Sequence, residues 1–407
     1  MPHRFGRPQK QNCPAVPDIG WRNRLLAHTG LKASGAIETD MDPAELRASI
    51  PALERCTYFN TGASGPTPRP VVDAATAFLE RHAFDAPAGD GPYTVAWDAI
   101  AAAREVVAGH IGTEATNVAL TRSTADGVNM IAGAIDWQPG DVVVRTDLEH
   151  PAGTLPWDRL ADTHDIEVRV LETEGGRLDM ADVKDAVADA RLVALSSLTW
   201  THGTRLPVAD VVDVAHDAGA QVLVDAVQSV GQHPVDVTEW GADFVAAAGH
   251  KWLLGIWGGG FLYVDPDAYS RLRQTRIGYR SVENPTGAGY EYYEGARRFE
   301  VGTTSPVPYV ALANAIETVE GVGFDTIQPR VERLTDRLKD GLDDRLLSPR
   351  DYESGLVTFT ADDPEATVER LAAEGVIIRS LSHPEALRAS VHAFNTADDI
   401  DRLLDAL

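Results

Sequence analysis

The chain has 407 residues, 44% of them apolar, and a formal charge of −25 from 61 acidic against 36 basic side chains. That apolar share supplies a large buried core and excludes an intrinsically disordered chain, and the acidic excess disfavours nucleic acid and anionic membrane surfaces as partners. No apolar run reaches the eighteen residues of a membrane span, and the basic start MPHRFGRPQKQN has no apolar core behind it, so the expectation is a cytoplasmic protein.

Cys13 and Cys56 lie in unrelated contexts without ligand spacing, which argues against a disulfide framework and against a metal site. Among the bases only Lys10, Lys32, Lys184, Lys251 and Lys339 are lysines. An acid-rich, lysine-poor surface suits a halophilic protein, because molar salt screens the self-repulsion that strains a compact acidic chain. The expected outcome is a folded fraction, followed by circular dichroism, that rises steadily from low to molar KCl; indifference to KCl would refute it.

Residues 1–40 mix Pro, Gly, Arg and Gln without periodicity and read either as a flexible extension or as residues ahead of the natural start. Asp42, with Glu45 three residues on, has the form of a helix N-cap that opens an N-terminal arm over 41–59. From about residue 60 to 265, helical patterns alternate with the apolar runs NVALTR, DVVVRT, EVRVLE, RLVALSS, QVLVDAV, DFVAAAG and GFLYV. Such alternation predicts an α/β domain over 60–305 with a mostly parallel sheet of seven strands. From 306 to 407 the pattern changes. PYVALANAIETVEGVG is followed by a helix, the strand GLVTFT, the helix PEATVERLAAEG, the strands VIIRSL and LRASVHAFN, and the helix ADDIDRLLDAL, which together predict a small α+β domain.

Four features carry chemistry. Lys251 stands between GH and WLLG after an apolar strand, where desolvation would lower its pKa and free the amine to form a Schiff base; a lone lysine is otherwise a surface residue with a buried stem. Asp225 ends QVLVD, at the carboxyl edge of a buried strand, where open α/β sheets bind ligands; a helix N-cap is the plainer reading. Gln228, three residues on, can face the same crevice. RSTADGVN joins strand NVALT to a helix whose first amides can hold a phosphate, assisted by Ser123 and Thr124. His150, in DLEHPAGTLPW, follows DVVVRT. A lysine for an aldehyde, an acid for a pyridinium, a flat side chain to stack and a phosphate cup match the needs of pyridoxal 5′-phosphate.

The ordered stretches YFNTGASGPTP, STADGVN, LEHPAGTLPW, LVDAVQSVGQHPVDV, GHKWLLG, RRFEVGTTS and LRASVHAFNT resemble class V aminotransferases, from about residue 45 to the C-terminus. This fold-type I group includes cysteine desulfurases, selenocysteine lyases and isopenicillin N epimerases. The resemblance implies a pyridoxal-phosphate-dependent enzyme of the fold-type I transferase class acting on an amino acid. It makes Lys251 the Schiff-base lysine, pairs Asp225 with the pyridine nitrogen, sets Gln228 at the 3′ oxygen and stacks His150 on the ring. It also puts Thr124 and His250 at the phosphate and Arg388 on the substrate α-carboxylate. Thr303 would reach the phosphate of a neighbouring subunit, implying a homodimer.

Departures from the family pattern refine this. Desulfurases carry a nucleophilic cysteine shortly before that arginine, whereas IRSLSHPEALRAS has none, which argues against desulfuration by the usual persulfide route. Ala125 stands where many relatives have Thr, and Ala248 where many have Ser; each drops a phosphate donor, with Ser123 and backbone amides left to compensate. Trp200 stands where desulfurases tend to have Asn near the ring. The expected activity is therefore transaminase or lyase, with desulfurase-like or epimerase-like activity as the alternative. A dinucleotide-binding enzyme is disfavoured because IWGGGF lacks the G-x-G-x-x-G spacing. A non-catalytic protein on this fold is disfavoured by the presence of Lys251, Asp225, His150 and Arg388 together.

Overall fold

A computed structural model describes residues 41–407, and the expectation for residues 1–40 lies outside the described residues. The arm begins as its sequence dictates: Asp42 Oδ1 accepts from Ala44 N and Glu45 N, and Glu45 reaches back to Asp42 N, capping helix α1, Pro43–Ala48.

Seven strands form the large sheet: β2 (Val118–Thr121), β3 (Val142–Thr146), β4 (Glu167–Leu171), β5 (Ala190–Ser196), β6 (Gln221–Asp225), β7 (Phe244–Ala248) and β8 (Gly260–Val264). Six lie within the seven apolar runs, and β5 begins one residue ahead of RLVALSS, at Ala190. Their order is β2-β8-β7-β6-β5-β3-β4, with β8 antiparallel to both neighbours and the remaining pairs parallel. β6, β7 and β8 are buried along their whole length, which explains why they read as unbroken apolar runs rather than as alternating ones. Because β2 is antiparallel to β8 and β8 to β7, strands β2, β3, β5, β6 and β7 all end at one edge. The residues that follow them include Thr124, His150, Trp200, Gln228 and Lys251, and Asp225 is the last residue of β6.

Three helices stack beside this sheet. PYVALANAIETVEGVG itself forms a helix, α9, Val307–Val322, and it packs against α2 (Arg69–Glu80) and α3 (Pro92–His110). Between α3 and α9, in chain order, lie α4 (Thr124–Ala132), α5 (Leu155–His164), α6 (Met180–Ala186), α7 (Val208–Asp217) and α8 (Val237–Trp240).

The C-terminal part builds a second sheet, β11-β12-β9, from β9 (Leu356–Phe359), β11 (Arg379–Ser382) and β12 (Glu385–Ser390), all antiparallel. Two expected strands need correction. VIIRSL is divided: β10 (Val376–Ile377) pairs with β1 (Thr57–Tyr58) of the arm, and only Arg379–Ser382 joins β12. LRASVHAFN ends as a strand at Ser390, because the next residues turn. There His392 N donates to Asn395 Oδ1, and Val391 N donates to Gly355 O. Ser390 itself is drawn to the arm, its N–H donating to Phe59 O. The arm thereby ties the small sheet to the edge where the large sheet's strands end.

Candidate active site

The turn after β7 carries Lys251. Leu254 N donates to Lys251 O at 3.0 Å, and Leu254 takes the left-handed φ of 61°, a strain that costs on the order of 1–2 kcal/mol in a residue with a Cβ. The arm closes over this turn: Gly65 N donates to His250 O, and a Cβ at Gly65 would lie 2.2 Å from Lys251 O, so only glycine permits the approach. Burial lowers the Lys251 pKa to about 8; Asp225 opposes the shift, while Arg388 and Arg379 add to it.

Asp225 ends β6 as a buried carboxylate. Its Oδ1 accepts from Val227 N at 2.9 Å in a turn with no helix after it, so the helix N-cap reading does not hold, and Oδ2 is left for another donor. Burial pushes its pKa up, opposed by the Lys251 ammonium and the Val227 N–H. Gln228 is buried beside it; Oε1 accepts from Trp252 Nε1 at 2.7 Å and Nε2 donates to Gly62 O at 3.0 Å, which leaves one amide hydrogen free.

His150 stands on the loop after β3, with one ring face open in this single chain. Its Nδ1 accepts from Ala152 N at 3.2 Å, placing the proton on Nε2, and its ring meets Trp200 edge-on at 5.5 Å. Desolvation first, then the charges of Lys251, Arg379 and Arg388, bring its pKa down to about 4, so it is neutral at pH 7. His250 is likewise brought down to about 4 by burial and by Lys251.

At the end of β2, Ser123 caps α4, its Oγ accepting from Asp126 N at 3.1 Å. The hydroxyl named as a phosphate donor is thus committed as an acceptor to the helix, with its hydrogen still available. Thr124 Oγ1 is buried and has no partner. Ala125 is half-buried and Ala248 fully buried, so neither offers a side-chain donor.

Arg388, in the middle strand of the small sheet, is fully buried. Its Nη1 donates to Trp200 O at 2.6 Å, while Nε and Nη2 have no partner. Asn60 Oδ1, Thr61 Oγ1 and Ser390 Oγ are also buried and unpartnered. A Cβ at Gly62 would lie 3.1 Å from Arg388 Nη2 and 3.0 Å from Ser390 Oγ, so glycine keeps this corner open. Directly across the β11–β12 pairing stands Arg379, and two like charges at opposed positions are unfavourable unless an anion joins them. Burial and Arg379 together bring the Arg388 pKa down to about 9.

Thr303 is exposed and hydrogen-bonds the Tyr279 hydroxyl in a cleft with Arg122, Arg276 and Tyr309; Lys251 is not among the residues lining it. Cys56 lies on the arm; its Sγ donates to Ala52 O, and burial raises its pKa, the reverse of what activates a thiolate.

Comparison with known proteins follows from this geometry. The Aminotransferase class-V profile matches residues 57–403. The chain belongs to the class-V aminotransferase family. It is 32% identical over 395 residues to a probable cysteine desulfurase of Methanothermobacter thermautotrophicus, covering 90% of this chain and 98% of that one. The solved cysteine desulfurase of Thermococcus onnurineus superimposes with a TM-score of 0.83 at 28% identity, over 90% of this chain and 97% of that one. The cystine C–S lyase C-DES, in complex with its product cysteine persulfide, gives 0.82 at 27% identity, over 88% and 98%. A further C-DES structure has glycine covalently linked to its pyridoxal-phosphate cofactor.

Pyridoxal 5′-phosphate is therefore the cofactor of this family member, and the site fits it. Thr124 Oγ1 and the first amides of α4 are available for a phosphate, Asp225 Oδ2 for a protonated ring nitrogen, the spare Gln228 hydrogen for a ring oxygen, and the His150 face for stacking.

Two residues escaped sequence reasoning. Glu149 is buried next to His150; Oε1 accepts from Thr146 Oγ1 at 2.7 Å and Ser196 N at 3.0 Å, and Oε2 from Ser196 Oγ at 2.6 Å. It clamps the His150 loop to β5, and burial lifts its pKa to about 7. It stands three residues past β3 and its partner Ser196 lies on another strand, so the chain carried no local signal for it. Arg379 was the other; its alternation with Arg388 across a short hairpin was legible, but not its opposed register.

Proposed function

We propose that this protein is a pyridoxal-phosphate-dependent lyase that expels a sulfur leaving group from Cβ of an amino acid such as cystine, without an enzyme thiol. The hairpin β11–β12 carries the reading. It joins Arg379 to Arg388 through a tight turn at His383–Pro384, with Ser382 paired to Glu385 and no cysteine in it. Cleavage of the substrate C–S bond by elimination needs no protein nucleophile, and C-DES, a similar protein, is a cystine C–S lyase with cysteine persulfide as its product.

When bound, pyridoxal phosphate supplies an aldehyde and an electron-accepting ring that together stabilise negative charge at Cα. The chain's own groups do the rest. Arg388 offers Nε and Nη2 as a fork for the α-carboxylate. Lys251, with its lowered pKa, offers a neutral amine able to anchor the aldehyde and then to take the Cα proton. Asp225 offers Oδ2 to the ring nitrogen, while the Glu149 clamp holds neutral His150 in place. The C–S electron pair leaves on sulfur, and hydrolysis of the remaining enamine gives pyruvate and ammonia.

The reading includes a homodimer in which the exposed Thr303 meets the neighbouring chain's phosphate site; what supports it is that Thr303 is exposed and that Lys251 does not line the cleft around it.

The test is turnover of cystine and of cysteine by cofactor-loaded protein. Pyruvate, with persulfide sulfur from cystine in equal amount, and unchanged activity in Cys56→Ser, are expected. Alanine and sulfide from cysteine would show a desulfurase, and amino transfer to a 2-oxo acid a transaminase; either would overturn the lyase.

A further inference from the structure

Trp200 sits on the turn after β5, and this turn is fixed from both sides. Thr199 N donates to Thr204 O, Ser354 Oγ donates to Gly203 O at 2.7 Å, and Thr358 Oγ1 donates to Thr201 O. The small sheet therefore presents the indole to the site as a rigid element. Its ring meets His150 edge-on, with the Arg388 and Arg379 guanidinium carbons at 5.9 and 5.5 Å from its centroid. Its Nε1–H is buried and has no acceptor. A buried indole N–H normally finds a partner, and one left bare is unfavourable.

Arg388 Nε, Arg388 Nη2 and Trp200 Nε1 are thus three buried, unpartnered donor nitrogens, with the Arg388 guanidinium carbon 5.9 Å from the indole centroid. A carboxylate has about four acceptor positions, and an arginine fork takes two. We propose that Trp200 is a specificity-determining residue whose indole N–H donates a third hydrogen bond to the carboxylate held by Arg388, selecting amino acids with a free α-carboxylate. This rests on the reading of Arg388 as the carboxylate anchor and of Lys251 as the cofactor lysine, and it holds for a lyase or a transaminase alike.

The experiment compares binding of glycine and glycinamide to cofactor-loaded protein by the change in the cofactor's visible absorption. Trp200→Phe keeps the ring and leaves the backbone bond from Arg388 Nη1 to Trp200 O untouched. It is expected to weaken glycine about tenfold, the value of one hydrogen bond to a charged group, and glycinamide less than twofold. The spectrum without amino acid is expected to stay as in wild type. Trp200→His, which keeps a ring N–H, is expected to retain more glycine affinity than Trp200→Phe, and it serves where the Phe variant does not fold. Equal weakening of both ligands, or a spectrum altered before any amino acid is added, would show that the indole serves the cofactor or the packing and would overturn the proposal. An unresponsive wild-type spectrum would instead overturn the cofactor lysine.

Discussion

Lys251→Ala is expected to carry no pyridoxyl group after borohydride reduction, whereas the wild-type chain carries one, mapped to Lys251. Turnover in the variant should fall about 10²–10⁴-fold, the contribution of a positioned proton carrier, on top of the loss of the covalent anchor. The pH dependence follows from the burial of the amine. Only the neutral form attacks an aldehyde, and the pKa is lowered to about 8, so cofactor capture by emptied protein should accelerate as pH rises through that value. Asp225 favours the ammonium, so Asp225→Asn should move the midpoint down. Arg388 disfavours it, so Arg388→Met should move the midpoint up. Stopped-flow absorbance measures all three. A capture rate independent of pH through this range, or a label on another residue, would remove the lysine from the mechanism.

Arg388→Lys should raise the KM for amino acids about 10–100-fold while leaving kcat much less affected. Lysine keeps the charge but loses the fork, and each hydrogen bond to a carboxylate contributes about 1.5–3 kcal/mol. Arg388→Met should bind amino acids more weakly still, and yet the protein without substrate should melt at a higher temperature than wild type. The guanidinium is fully buried with two nitrogens unpartnered, and Arg379 faces it across the strand pair. Replacing such a charge with an apolar side chain of similar volume removes a desolvation cost that only a bound carboxylate offsets. Steady-state kinetics and thermal melts of the two variants check this together. A lowered melting temperature in Arg388→Met would mean that the guanidinium supports the fold rather than the substrate.

The large sheet was legible because each strand is a short apolar run bounded by polar or glycine-rich turns, and full burial leaves little room for other residue types. Strand ends in the small sheet were less so. β12 stops at Ser390 because Phe59 O and Gly355 O, from distant segments, accept from the amides of Ser390 and Val391, and nothing local in VHAFN announces that. The same division holds in the site. Lys251, Asp225 and His150 could be singled out because each follows or ends an apolar strand of one parallel set. Glu149 could not, since its role depends on Ser196 of another strand.

By itself the sequence determined the strands of the large sheet and which chemical group stands at the end of each, because hydrophobic periodicity and strand burial are local properties of a chain. Only the tertiary structure decided the state of those groups: the lowered pKa of Lys251, the neutral His150, the opposed arginines and the bare indole of Trp200. Those depend on desolvation and on charges brought close by segments far apart in the chain, and both are set by packing.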